Sequence, residues 1–210
     1  MSAIVLGAGP GLGMALARAY GQTGRPVAIV ARRREAVEGY AASLTGVDAL
    51  GLSADLGDPE AVASVIREAA DRLGAPDIVH YNASTLIQGT PSRVPLTAVE
   101  QSWRVGCLGA WAALQAAVPV MPNGSAFFVT GGGLALDPWP SASALAAAKA
   151  ALRSLVHSAA KELTDIRVAM ITVSGVIARD TALSPDEIAR HFLGLLEQTH
   201  PAVETVLPSA

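Results

Sequence analysis

Four glycines, three consecutive arginines and one isolated lysine are the residues whose types and spacing suggest chemistry. Gly7, Gly9, Gly11 and Gly13 stand in AIVLGAGPGLGMALARAY, a β-branched run, a turn and an alanine/leucine-rich run that reads as a helix. Glycine at such a turn lets the backbone bend tightly and approach a pyrophosphate, whose charge meets free N–H groups at the helix start. Arg32, Arg33 and Arg34 follow the next apolar run, VAIVA. Lys149, in SASALAAAKAALR, is the first charge after Asp137 and lies one helical turn beyond Leu145. A lone cation in so apolar a stretch needs something to hold.

The elements that must position these residues alternate from end to end. Strand candidates fall at 3–7, 27–31, 49–54, 77–82, 126–130, 168–173 and 203–207, and most are continuously apolar, as strands covered on both faces must be. Alanine/leucine-periodic runs separate them, which is the pattern of βαβ units on a parallel sheet. Asp58-Pro59-Glu60 and Ser184-Pro185-Asp186-Glu187 each place a cap and an N1 proline at a helix start, and Thr97 to Glu100 has capping-box spacing ahead of a run toward Met121. No linker, low-complexity tract or solenoid repeat interrupts the pattern. The expected architecture is an α/β, Rossmann-type, doubly wound parallel sheet of about seven strands with helices on both faces, in a single domain spanning 1–210.

Composition narrows the class. Of the 210 residues, 51% are hydrophobic and 16% charged, which fits a well-buried core and argues against disorder. A net charge of −3 gives no basic face for nucleic acid. Cys107 is the only cysteine, so no internal disulfide forms, and the four histidines show no metal-ligand spacing, so no metal site is expected. The apolar runs are broken well before a membrane-spanning length, and the first residues lack the pattern of a signal peptide. A cytoplasmic protein without nucleic-acid or membrane partners is the expectation.

The spacing G-x-x-x-G-x-G at Gly7, Gly11 and Gly13 resembles the short-chain dehydrogenase/reductase family, and the resemblance runs along nearly the whole chain. Asp55-Leu56 looks like the family's adenine-binding pair, Tyr81-Asn82-Ala83-Ser84 sits where the family has Asn-Asn-Ala-Gly, and Ser174-Gly175 replaces its Pro-Gly. Lys149 falls at the end of the family's Tyr-x-x-x-Lys. The resemblance implies a dinucleotide held by Gly7, Gly9, Gly11, Leu12, Gly13, Asp55, Leu56, Asn82, Ala83, Lys149 and Gly175. For the 2′ position of the adenosine ribose, NAD sites use a carboxylate after the second strand, whereas Ala31 stands here with Arg32 and Arg33 beyond it. Guanidinium binds a 2′-phosphate through paired donors, so NADP is the expected cofactor.

The catalytic positions depart from the family. Leu145 stands at the tyrosine that would protonate the product oxygen, Gly131 or Gly132 at the orienting serine, and Gly106 at the helix asparagine, leaving Lys149 as the one catalytic residue. General acid–base catalysis contributes about 10²–10⁴-fold, so the chain reads as an oxidoreductase of atypical mechanism on an unknown small-molecule substrate, or as a silent NADP(H)-responsive binding protein. Thr130, Ser141, Ser143 and Tyr81 are the candidate substitute acids; strand alternation lets only one of Tyr81 and Asn82 face the cofactor. His80 reads as a hydrogen-bonded core residue, Arg153, His157 and Lys161 as a solvated stripe, His191 and His200 as surface, and Trp103 and Trp111 as core or interface. Only eight residues separate Gly175 from the cap at Ser184, too few for the family's substrate lid. The family's helix pairing implies a homodimer or homotetramer.

Overall fold

The computed structural model describes residues 1–208. Seven strands form one parallel sheet in the order β3-β2-β1-β4-β5-β6-β7. They are β1 (Ser2–Leu6), β2 (Val27–Ala31), β3 (Ala49–Ser53), β4 (Pro76–Tyr81), β5 (Ala126–Gly132), β6 (Arg167–Ser174) and β7 (Glu204–Pro208). The strands agree with the sequence expectation to within one residue at most ends. β5 runs two residues further than expected because Thr130, Gly131 and Gly132 pair in register with Ile171, Thr172 and Val173 of β6.

Helices cover both faces. On one side α3 (Pro59–Leu73), α5 (Gly109–Ala117) and α6 (Ser143–Glu162) bury Ile66, Ala113 and Leu152 against Leu6, Tyr81 and Val129 of the sheet. On the other, α1 (Leu12–Gly21), α2 (Arg34–Ser43) and α7 (Pro185–Glu197) bury Leu16, Val37 and Phe192 against Val5, Ile29 and Phe128. Each large side chain so buried contributes about 1.5–3 kcal/mol.

The caps at α3 and α7 form as the sequence implies: the Asp58 carboxylate accepts from the Glu60 N–H at 3.0 Å and the Ser184 hydroxyl from the Glu187 N–H at 3.3 Å. The capping box at Thr97 does not form. α4 (Leu96–Trp103) begins two residues earlier than that box implies, with Pro95 as N-cap at φ −60°, so Thr97 already lies inside the first turn. Nor is the run toward Met121 one α-helix, since a π-helical turn, Arg104–Leu108, separates α4 from α5.

The strand order reverses between β1 and β4, where the loops leaving the two strands part and open a crevice at their carboxyl ends. Leu6 pairs with Tyr81, which brings Gly7 beside Asn82 and Ala83. Gly7 has φ +98°, and a Cβ on it would fall 2.7 Å from the Ala83 nitrogen. Only glycine meets both conditions.

Candidate active site

The glycine turn divides into two kinds of position. Gly7 and Gly13 are fixed by the protein itself: a Cβ on Gly13 would come within 2.7 Å of the Gly7 carbonyl oxygen, so α1 packs directly on the turn. At Gly9 and Gly11 a Cβ would meet nothing within 4 Å. Their lack of side chains leaves an open cradle. Gly11 caps α1 with no side-chain hydrogen bond, and the first turn contains no acid. The Met14 N–H is taken up by the Gly9 carbonyl at 3.2 Å, while the Leu12 and Gly13 amides and the positive end of the helix are left for a ligand, which suits a diphosphate.

Two adjacent depressions lie along the crevice. A smaller one of about 280 Å³ is lined by Gly7, Arg32, Asp55, Leu56 and Ala83, and a larger one of about 670 Å³ by Leu12, Thr130, Gly132, Leu145, Lys149 and Gly175. Asn82 and Ser84 border both. The structure thus places all but four of the residues named from the sequence for the dinucleotide in these linings; Gly9, Gly11 and Gly13 stand in the glycine turn and the start of α1 between them, and Arg33 is the N-cap of α2. Arg34 pairs with Glu38 at 3.7 Å, whereas Arg32 and Arg33 have no ion-pair partner among the described residues. One Asp55 carboxylate oxygen accepts from the Gly57 N–H at 2.9 Å, which holds the loop after β3.

Lys149 is buried at the floor of the larger depression, where its Nζ donates to the Thr130 carbonyl at 2.8 Å. Burial lowers its pKa to about 8. Leu145 lies one turn away on the same helix and lines the same depression. Two protons of the ammonium are left for a ligand.

Each proposed substitute acid can be traced to a partner or a position. Tyr81 points away from the cleft into the α3/α5 side of the core; its hydroxyl donates to the Val105 carbonyl at 2.5 Å, and burial raises its pKa. Asn82 takes the opposite direction, as alternation requires, and donates to the Gly7 carbonyl at 2.9 Å. Ser143 donates to the Gly89 carbonyl at 2.7 Å and so pins the loop that crosses from β4 to α4 onto the start of α6. Ser141 is exposed, and the Thr130 hydroxyl donates to Asn82 Oδ1 at 2.8 Å. None of the four has a proton aimed freely into the cleft.

Three comparisons bear on this arrangement. A family model described as short chain dehydrogenase matches residues 1–187. The chain belongs to this family. A versicolorin reductase of Emericella nidulans is 30% identical over 196 residues, spanning 91% of this chain and 73% of that protein. Among solved structures, an alcohol dehydrogenase from Thermococcus sibiricus complexed with 5-hydroxy-NADP is 26% identical with a TM-score of 0.89, covering 99% of this chain and 96% of that one. A Burkholderia cenocepacia short chain dehydrogenase in complex with NADP, 24% identical, has a TM-score of 0.90 at the same coverage and agrees in fold.

At the three positions where the resemblance implies an asparagine, a serine and a tyrosine, the structure gives a packing reason for one. A Cβ at Gly106 would lie 2.9 Å from the Ala148 Cβ, so α6 fills the space where the resemblance places an asparagine. A Cβ on Gly131 would meet Thr172 Oγ1 at 2.6 Å, while one on Gly132 would rest at an ordinary 3.5 Å from Lys149 Cε. Gly132 is therefore the cleft-facing member of the pair. Leu145 supplies no proton.

The supposed solvated stripe is a correction. Arg153 and His157 both bind Glu204 of β7, Arg153 with Nε at 2.7 Å and His157 with Nε2 at 2.9 Å. Burial alone would raise the Glu204 carboxyl, but hydrogen bonds from Arg153, Thr172 and His157 hold it down at about 2. Lys161, His191 and His200 are exposed as expected. Trp103 and Trp111 are 40% and 46% exposed and flank a groove against α6, so they are not core. Sequence reasoning missed Trp139, whose ring stands at the rim of the larger depression beside Leu136, Val176 and Ile177. No helix among the described residues is long and apolar enough to cross a membrane, and no cluster of possible metal ligands occurs among them.

Proposed function

We propose that this short-chain dehydrogenase is an NADP(H)-dependent oxidoreductase of atypical mechanism. The observation that carries the reading is the open amide cradle at Gly9–Gly11, whose next residue, Leu12, lines the same depression as Lys149 and Leu145. The diphosphate rests on the amides that open α1, Arg32 and Arg33 take the 2′-phosphate, and Asp55 and Leu56 border the adenine. Asn82, Ala83, Leu12 and Gly175 border the rest, and Lys149 holds the nicotinamide ribose. NADPH, when bound, supplies a hydride.

The protein's own part is to orient the acceptor and to meet the negative charge left on its oxygen. Without Tyr at 145, Ser at 132 or Asn at 106, that task falls to Lys149, whose pKa of about 8 leaves it mostly protonated at neutrality yet a readier proton donor than an ordinary lysine. Such a site suits activated acceptors, such as quinones, imines or polarised alkenes, better than simple ketones. Leu136, Trp139, Val176 and Ile177 give the rim an apolar surface for the acceptor. A homodimer through the face carrying Trp103 and Trp111 completes the reading.

The test follows NADPH absorbance with a panel of ketones, quinones and imines, for the native chain, Lys149→Ala and Leu145→Tyr. Turnover by the native chain that Lys149→Ala abolishes supports the enzyme. Tight NADPH binding with no oxidation of any acceptor favours the second reading, a silent cofactor-responsive binding protein, which Leu145 in the acid's place specifically suggests.

A further inference from the structure

A buried line of hydrogen bonds crosses the molecule from the back of the sheet to the glycine turn. The Tyr20 hydroxyl lies 2.7 Å from His80 Nδ1, His80 Nε2 lies 2.9 Å from Thr130 Oγ1, Thr130 Oγ1 donates to Asn82 Oδ1 at 2.8 Å, and Asn82 Nδ2 donates to the Gly7 carbonyl at 2.9 Å. Tyr20 and His80 have no solvent exposure, and His80 packs among Phe128 and Phe192 on the α1/α7 side.

The protons in this line have one consistent assignment. Asn82 spends an amide hydrogen on Gly7, which turns its Oδ1, an acceptor only, toward Thr130. Thr130 must donate there, and can then only accept from His80. His80 therefore bears its hydrogen on Nε2, and its bare Nδ1 accepts from Tyr20. Burial keeps the ring neutral, with a pKa lowered to about 3. Thr130 also offers the backbone carbonyl that anchors Lys149 Nζ. One residue thus joins the two halves of the cleft, and behind it stands His80.

We propose that His80 is a positioning residue for the dinucleotide: by donating to Thr130 it fixes the Asn82 amide and the Gly7 carbonyl, and so sets the shape of the amide cradle in front of α1. This rests on the cofactor reading above. An apolar residue in its place would fill the core, as Ile78 does two positions earlier on the same side of β4, but would leave Thr130 with an acceptor unpaired and free to release Asn82.

The test is NADPH affinity by calorimetry, with thermal melting of the free protein as a separate readout. His80→Leu is expected to weaken binding about tenfold, the loss of one well-placed hydrogen bond. His80→Gln, whose amide reaches the position of Nε2, is expected to stay within about threefold of the native chain. Ile188→Ala opens a cavity in the same core without touching the line, and is expected to lower the melting temperature at unchanged affinity. Thr130→Val should weaken binding as His80→Leu does, and the double variant should add nothing. Should His80→Leu fail to fold, the Gln and Thr130→Val variants still decide the matter. Unchanged affinity in His80→Leu or Thr130→Val, or an equal loss in Ile188→Ala, reduces His80 to a core residue. No saturable NADPH binding by the native chain overturns the cofactor reading itself and this proposal with it.

Discussion

The two ends of the cleft are built from different parts and have diverged differently. At the end formed by β1, β2 and β3, the cradle for a diphosphate consists of backbone, with the amides opening α1, the positive φ of Gly7 and the close packing of Gly13, and the Arg32, Arg33 and Asp55 side chains stand beside it. At the end formed by β4, β5 and α6, the positions where the resemblance implies side-chain hydroxyls and an amide hold Leu145, Gly132 and Gly106. Backbone groups are inseparable from the fold, because the turn that presents them also packs α1 on the sheet. Side-chain groups can be exchanged with local repacking alone. An intact cradle beside a depleted cleft is what that difference permits.

The comparison breaks most sharply at Gly7. Gly7→Val forces a β-branched side chain into a left-handed conformation and onto the Ala83 backbone, and is expected to abolish NADPH binding and to destabilise the fold by about 3 kcal/mol or more, read by calorimetry and urea unfolding. The depleted end should instead tolerate restoration. Gly132→Ser with Leu145→Tyr is expected to raise ketone reduction over the native chain by about 10²-fold, measured as kcat/KM with NADPH, while leaving the melting temperature nearly unchanged. Failure of this pair to raise the rate would mean that the space at Gly106, which α6 has taken, matters more than the missing hydroxyls.

Lys149 stands at the second end, and its burial makes a pH prediction. A lysine whose folded pKa of about 8 lies below its unfolded value binds fewer protons in the native state between those limits, so stability rises as pH climbs through that window. Relative to Lys149→Met, the native chain should gain about 3 kcal/mol between pH 8 and 10.5. A slope identical in the two proteins would place the ammonium in solvent. The smallest expected effect is at the arginines: Arg32→Ala with Arg33→Ala should weaken NADPH about tenfold to a hundredfold and leave NADH within about threefold, since only a 2′-phosphate uses those guanidinium groups.

Much of the sheet was readable in the sequence because parallel strands buried on both faces show as unbroken β-branched runs, and because Asp58 and Ser184 announce their helices. The glycine turn was legible for the same local reason. What escaped were relations across the fold. Arg153 and His157 sit at the same four-residue spacing as exposed Lys161, and nothing local reveals that Glu204, on the last strand, comes to meet them. Tyr81 looked like a spare phenol until packing turned it toward Val105. His80 and Asn82 share one side of β4 by their two-residue spacing, a signal present in the chain, but Thr130 joins them only once β5 is paired beside β4.

Titrating the native protein with NADPH and with NADH in a calorimeter tests the central claim most directly. Saturable binding of NADPH, at least about tenfold tighter than NADH, is the predicted result. The absence of saturable heat with either nucleotide would contradict it.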